Sequence, residues 1–478
     1  MKDGAEGTDL AALDRQHHVH PFTDPLDLED QPARLLRRGR GCWLEDGEGR
    51  RVLDAMSGLW CVQVGYGHER LAAVAAEQMR SLPYYNTFFR STTEPTVRLA
   101  RKLAELLPGD LNHVFFASSG SEANDTIVRL VRRYWDLAGK PDKKTIISRE
   151  HAYHGSTLAG ASLSGMSRMH QQGDLPLPGF VHVMPPYQYV YGNRGESEED
   201  FGVRAAQALE EKILELGAHR VGAFFGEPVM GAGGVIPPPA TYWPEVQRIC
   251  RKHDVLLVAD EVISGFGRTG RWFGIETYGI EPDFVALAKG ITSGYIPLSA
   301  VVMTARVHEA LRQGGVLAHG YTYSGHPVGA AVALENIRLL EDGIVETVGA
   351  STGPYLQKRL RWLSAHPLVG EVRGVGLIGG IELARPEGTS GLKAGSRQEH
   401  PASGPVSARA GTRGFEPPGR AGRTLDDHAW REGLIIRAMG DTIGVCPPLT
   451  ITASEIDALV SRLDIALDRT LAGLDGSS

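Results

Sequence analysis

Two stretches decide the fold: Val255-Leu256-Leu257-Val258-Ala259-Asp260-Glu261-Val262 and Phe284-Val285-Ala286-Leu287-Ala288-Lys289-Gly290. Each is a continuous apolar run ending in a charge. Runs of this kind read as parallel strands covered on both faces, since a half-exposed strand would alternate. Ligands of open α/β sheets bind beyond the carboxyl ends of the strands, so Asp260 and Lys289 are expected to face one crevice. Lysines are seldom buried without a partner. One at the end of an apolar strand is either solvated or has a chemical task. A desolvated amine loses its proton more readily and becomes a nucleophile that can form a Schiff base. Asp260 poses the same choice, between a helix cap and a site residue.

A third segment settles the choice. Phe115-Phe116-Ala117-Ser118-Ser119-Gly120-Ser121-Glu122-Ala123-Asn124 reads as a short strand, Val114 to Phe116, running into a turn of small residues. A helix follows, with Ala123, Ile127, Leu130, Val131 and Tyr134 at helical spacing. Backbone N–H groups at a helix N-terminus bind phosphate, and Ser119 and Ser121 add hydroxyls. Alone, the turn is equally an ordinary N-cap. With Asp260 and Lys289 it completes a set: a lysine for an aldehyde, an acid for a pyridinium nitrogen and a cup for a phosphate. Pyridoxal 5'-phosphate (PLP) requires all three.

Further motifs appear in order: Tyr153-His154-Gly155, Gly226-Glu227-Pro228, Gly265-Phe266-Gly267-Arg268-Thr269-Gly270, and Tyr321-Thr322-Tyr323-Ser324-Gly325-His326-Pro327. With the three segments above, the sequence resembles the class III aminotransferases of the fold-type I PLP family, from about His18 to about Leu471. His20-Pro21-Phe22-Thr23-Asp24, Gly58-Leu59-Trp60-Cys61, Tyr85-Asn86-Thr87-Phe88-Phe89 and Ile436-Arg437-Ala438-Met439-Gly440-Asp441 resemble the amine:pyruvate (ω-amine) transaminases within it. The resemblance implies an α/β fold with a mainly parallel sheet in a large domain (65–330). A smaller α+β domain is built from both chain ends (1–64 and 331–478).

It also implies roles. Lys289 would hold PLP as a Schiff base and serve as general base, and Asp260 would keep the ring nitrogen protonated. Tyr153 would stack on one face of the ring and Val262 pack on the other. Glu227 would support the site near Asp260. Ser119 and His154 join the cofactor set. Gly120, Ser121 and, from a partner subunit, Thr322 would hold the phosphate, so an obligate homodimer with shared sites is expected, and pairing into tetramers is left open. Phe22, Trp60 and Phe88 resemble aromatic pocket walls, although aromatics also serve cores. Arg437 resembles an arginine that grips the keto acid's carboxylate, a bidentate task suited to guanidinium; a solvated arginine is the plain alternative. Arg168 departs from the aromatic that relatives can carry there. The implied reaction is ping-pong transfer from a primary amine, diamine or ω-amino acid to pyruvate. Decarboxylating or aminomutase chemistry, or a catalytically impaired dimeric relative, are the alternatives.

The 478 residues leave room for two or three domains, and the net charge of −7 suggests neither a nucleic-acid nor an anionic-membrane partner. No apolar run reaches membrane-spanning length, and the polar stretch from Met1 to Gln16 is not a secretory signal. Cys42, Cys61, Cys250 and Cys446 lack metal spacing, as in a reduced cytoplasmic protein, and Cys250 reads as core. His151 and His154 have no third ligand beside them, so no metal is expected. Gly265–Gly270 and Gly374–Gly379 match G-x-G-x-x-G, but neither has the strand before and helix after that a dinucleotide needs. Residues 385–423 are rich in Gly, Pro, Ser, Ala and Arg, with Leu392, Val406 and Phe415 as the large apolar residues. Such a segment cannot bury enough surface to offset its ordering entropy, and a disordered insertion is expected.

Overall fold

The computed structural model describes residues 9–385, 415 and 417–475. These form three sheets. Near the N-terminus, β1 (Leu36–Arg40), β2 (Trp43–Asp46) and β3 (Arg51–Asp54) make an antiparallel meander. The central sheet takes β4 (Leu111–Ala117), β5 (Thr145–Arg149), β6 (Phe180–Val183), β7 (Val221–Gly226), β8 (Leu256–Asp260), β9 (Phe284–Leu287) and β10 (Ser299–Thr304), in the order β4-β10-β9-β8-β7-β5-β6. Then come β11 (Val369–Val375), β12 (Ile378–Leu383), β13 (Leu434–Ile435), β14 (Arg437–Met439) and β15 (Thr442–Val445). β13 returns to pair in parallel with β3, so residues from both ends of the chain share one sheet. The order β11-β12-β15-β14 makes the third.

β7, β8, β9 and β10 are buried along their whole length. Successive side chains point to opposite faces, and both faces are covered. Val258, Phe284 and Ala286 pack with Ala123, Ile127, Leu130 and Val131 of the Gly120–Leu137 helix. Leu257, Val285 and Leu287 face the other way, toward Val246, Ile249 and Cys250 of the Tyr242–Lys252 helix. This two-sided cover is why these strands read as unbroken apolar runs. β10 runs antiparallel to β4 and β9, while the other strands share one direction. Their carboxyl ends therefore lie along one edge.

The two glycine motifs meet. The Arg268 carbonyl accepts from Leu377 N–H at 3.0 Å, and Arg268 Nη1 donates to the Leu377 carbonyl at 3.0 Å. Gly376 has φ +55°, and a Cβ there would stand 2.4 Å from the Arg268 oxygen. Glycine is needed here so that two chains can touch. Arg268 is fully buried, and its Nη2 donates to Ser57 Oγ at 3.1 Å, tying N-terminal, central and C-terminal segments together.

Residues 386–414 and 416, most of the expected disordered insertion, lie outside the described residues. Its edges correct the expectation. Arg385 and Phe415 are buried. The helix Arg420–Arg431 begins inside the stretch and buries Ala421 and Gly422. Its order comes from elsewhere: the Asp441 carboxylate accepts from the N–H groups of Gly419 and Gly422 at 2.8 and 3.0 Å. Thr93 stands at the N-cap of the Glu94–Leu106 helix, but its hydroxyl pairs with Thr96 Oγ1 at 2.7 Å rather than with a backbone N–H. Among the described residues no helix is long and apolar enough to cross a membrane.

Candidate active site

Five parallel strands deliver side chains to one cleft of about 330 Å³. β4 leads to Ser118–Ser121, β5 to the loop with Tyr153 and His154, β7 to Glu227, β8 to Asp260 and β9 to Lys289. β8 and β9 are neighbours, with Asp260 paired to Ala286.

Lys289 has φ +49°, a left-handed conformation that costs a non-glycine residue on the order of 1 kcal/mol. The surroundings impose it. Buried Asn336 donates from Nδ2 to the carbonyls of Gly290 and Ile291 at 2.8 and 3.1 Å. A Cβ on Gly290 would stand 2.4 Å from Gln63 Nε2, which explains the glycine after the lysine. Burial pushes the Lys289 pKa down; Cys61 and Asp260 oppose this, and Arg437 adds to it. Lys289 Nζ lies 5.4 Å from the Trp60 ring centroid.

Asp260 is 4% exposed and saturated with donors. Oδ2 accepts from Asn124 Nδ2 and from His154 Nδ1, both at 2.8 Å, and Oδ1 accepts from Val262 N–H at 3.1 Å. Burial alone would raise its pKa, but His154, Asn124 and the Val262 N–H outweigh that and hold it below the usual carboxylate value. Asn124 also donates to the His154 carbonyl at 2.8 Å, fixing the pair together. His154 Nε2 is buried without a hydrogen-bond partner. Glu227 is buried, its Oε2 accepting from Gly231 N–H at 2.9 Å and its Oε1 from Tyr153 N–H at 3.4 Å; burial raises its pKa. Buried Arg149 donates to the Glu227 carbonyl at 2.7 Å.

At the cup, Ser119 is the N-cap of the Gly120–Leu137 helix, with Oγ accepting from Glu122 N–H at 3.2 Å. Ser121 Oγ accepts from Ser156 N–H at 3.0 Å. Each hydroxyl keeps its proton free to donate. A Cβ on Gly120 would stand 3.2 Å from Val262 Cγ2, and one on Gly155 would clash with Ser121. Tyr153 and Val262 both line the cleft, half-buried.

The expected substrate residues divide. Trp60 is 1% exposed, with the Arg437 guanidinium carbon 4.9 Å from its ring centroid. Among the described residues Arg437 makes no ion pair, whereas Arg373 pairs with Glu382 at 2.9 Å. Phe22 is 76% exposed, with its ring 6.4 Å from Tyr153. Phe88 and Thr322 do not line this chain's cleft. They lie near each other instead: Tyr84 OH donates to the Thr322 carbonyl at 2.7 Å, Thr87 Oγ1 to the Ser324 carbonyl at 3.1 Å, and Phe88 abuts Gly320. Arg168 is exposed. Asn124, Asn336 and Arg149 were not assigned roles from sequence, although a polar residue on an otherwise apolar helix face, as Asn124 and Asn336 are, was the available signal. Away from the cleft, Asp14, His18 and His20 lie close enough to share an ion, and both imidazoles already pair with Asp14 at 2.9 and 2.8 Å.

This donor set fits PLP: a carboxylate kept ionised, an amine of lowered pKa, a helix N-terminus with free hydroxyl protons, and an orphaned buried His154 nitrogen. A profile of the family described as Aminotransferase class-III matches residues 27–467. The chain belongs to the class III aminotransferases. It is a PLP enzyme of fold-type I architecture. It is 50% identical to a putrescine–pyruvate aminotransferase of Pseudomonas aeruginosa over 98% of each chain. A diaminobutyrate–2-oxoglutarate transaminase of Halomonas elongata is 40% identical over 98% of this chain and 97% of that one. The ω-transaminase of Pseudomonas jessenii, solved in complex with PMP, superposes with a TM-score of 0.91 at 42% identity, covering 97% of this chain and 99% of that one.

Proposed function

We propose that this transaminase moves an amino group from a primary amine, diamine or ω-amino acid to pyruvate. The observation that carries this reading is Arg437: a half-buried guanidinium beside Trp60 and Lys289, with no carboxylate of the described residues to pair with. An acceptor that brings a carboxylate supplies the missing partner, and a neutral amine leaves the arginine free to swing aside. The Pseudomonas aeruginosa relative, named for putrescine and pyruvate, supports the same pairing.

PLP bound at Lys289 supplies the electron sink for the carbanion. Lys289 takes and returns the proton at the substrate carbon. Asp260, itself held by His154 and Asn124, would keep the ring nitrogen protonated. Tyr153 and Val262 would pack on the ring, Glu227 accepts from the Tyr153 N–H and so steadies that loop, and Ser119, Gly120 and Ser121 would receive the phosphate. Phe88 and Thr322 would serve the cleft of a second copy. Tyr85, Phe89 and Tyr323 around them are 51%, 92% and 60% exposed, an apolar patch that such a homodimer would cover. The four cysteines are unpaired, which supports a cytoplasmic setting.

The test is to add putrescine, β-alanine, taurine and an aryl-alkyl amine in turn to holoenzyme while following the cofactor's visible absorbance. One donor should bleach the band, and pyruvate should restore it with one alanine formed per donor consumed. Carbon dioxide release, or donor isomerisation without alanine, would point to the decarboxylating or aminomutase reaction instead.

A further inference from the structure

We infer that Trp60 receives the distal ammonium of an α,ω-diamine donor, in exchange for Arg437. The inference rests on the amine-donor reading above. Trp60 already has two cations at its ring, Arg437 at 4.9 Å and Lys289 at 5.4 Å from the centroid. Both fall within the range of cation–π attraction, for which tryptophan is the best aromatic partner. The ring cannot turn away. Its Nε1–H donates to Met56 Sδ at 3.2 Å, and its edge lies so close to Gly231 that a Cβ there would stand 2.8 Å from Trp60 Cζ3.

A second ammonium entering this cleft finds no free acid among the lining residues. Asp260 is committed to three donors, and Glu227 to two backbone N–H groups. Two aromatic faces remain to attract it: Tyr153 in the lining, and Trp60, 1% exposed, whose ring is freed when Arg437 leaves it. Reach is also satisfied. The reacting nitrogen of the donor takes the position of Lys289 Nζ, itself 5.4 Å from the ring centroid. An extended four-carbon diamine spans about 6 Å between nitrogens, so its distal charge can settle on the ring. Arg437 cannot remain beside it, since like charges repel in a desolvated site. Without an ion pair to hold it among the described residues, it gives up the ring readily. The same arginine then returns when the acceptor brings a carboxylate. One ring thus serves a cationic tail in the first half-reaction and a cationic side chain in the second.

The experiment compares putrescine with n-pentylamine, a donor of similar length and uncharged tail. Single-turnover rate constants per molar amine are read from cofactor absorbance in wild-type, Trp60→Phe, Trp60→Leu and Arg437→Gln holoenzymes. Trp60→Leu should lower the putrescine-to-pentylamine ratio by about five- to thirty-fold, and Trp60→Phe by less. Arg437→Gln, which removes the competing cation, should raise the ratio. Equal losses for both amines in Trp60→Leu and Trp60→Phe would mean that the ring only packs, and would overturn the inference. A wild-type enzyme that accepts neither amine would overturn the donor reading itself.

Discussion

The two walls of the cleft are built differently. On the sheet side, Asp260 accepts three hydrogen bonds, its partner His154 is pinned by Asn124, and the Lys289 turn is clamped by Asn336. On the open side, Arg437 has no ion-pair partner among the described residues, Phe22 is 76% exposed, and Phe88 and Thr322 do not line this chain's cleft. A saturated wall suits a cofactor that never leaves, because its geometry is fixed before binding. An unsaturated wall suits substrates that alternate, because nothing must be broken to admit either.

The sharpest way to break this contrast is to separate the walls. Lys289→Ala should lower transamination by at least about 10³-fold, since it removes both the covalent anchor and the proton carrier. Thr322→Glu should abolish cofactor retention, if Thr322 faces a partner's phosphate, by setting a carboxylate against it. Mixed and refolded together, the two inactive proteins should recover about a quarter of wild-type activity, because half the dimers are hybrids with one intact site of two. A mixture as inactive as its components would show that each cleft is complete within one chain.

The saturated wall is tested by Asp260→Asn. The amide cannot hold a pyridinium proton as a carboxylate does, and kcat should fall about 10²-fold. A pH titration sharpens the point. The folded carboxylate titrates below its ordinary value, so its contribution to stability is present above the unfolded pKa and is lost as pH falls through the folded one. The stability gap between wild type and Asp260→Asn, measured by denaturant titration, should therefore narrow in acid. A gap independent of pH from 7 to 3 would show that Asp260 is not held ionised.

The walls also differed in how they could be read. Asp260 and Lys289 were legible because an apolar run that ends in a charge is rare enough to need a reason, and strand polarity puts both ends at one edge. Gly290 and Gly376 were visible as motif letters, but only the fold shows that a Cβ would meet Gln63 and Arg268. Asn336 and Asn124 were hidden because their partners lie 46 and 136 positions away. The open wall was legible by resemblance alone: nothing local in Phe88 or Thr322 assigns either residue to a substrate or cofactor site. Composition read residues 385–423 as one stretch poor in core residues, and could not see that Asp441 would cap the helix that begins at Arg420 within it.

On the open wall, Arg437→Ala should weaken the acceptor half-reaction more than the donor one. A charged hydrogen bond is worth about 1.5–3 kcal/mol, so kcat/KM for pyruvate should fall roughly 10- to 100-fold. The same constant for a carboxylate-free amine should change less than about threefold, a shift well under 1 kcal/mol. Equal losses in both would reduce Arg437 to a packing residue over Trp60.

The smallest effect falls where the two readings of one residue overlap. Ser119 was expected among the cofactor's ligands, and its oxygen is also the N-cap of the Gly120–Leu137 helix, accepting from Glu122 N–H. Ser119→Ala should cost about 1 kcal/mol of stability, as loss of a cap does. If the hydroxyl proton also serves the phosphate, cofactor affinity should drop in Ser119→Ala and drop further in Ser119→Asp. Aspartate caps as well as serine does, but sets a negative charge at the cup. The two substitutions therefore separate cap from ligand: aspartate should restore stability and bind cofactor worst. Weaker cofactor binding in the alanine variant than in the aspartate one would place the phosphate away from this helix end. The positive end of the helix would then serve only to cap itself.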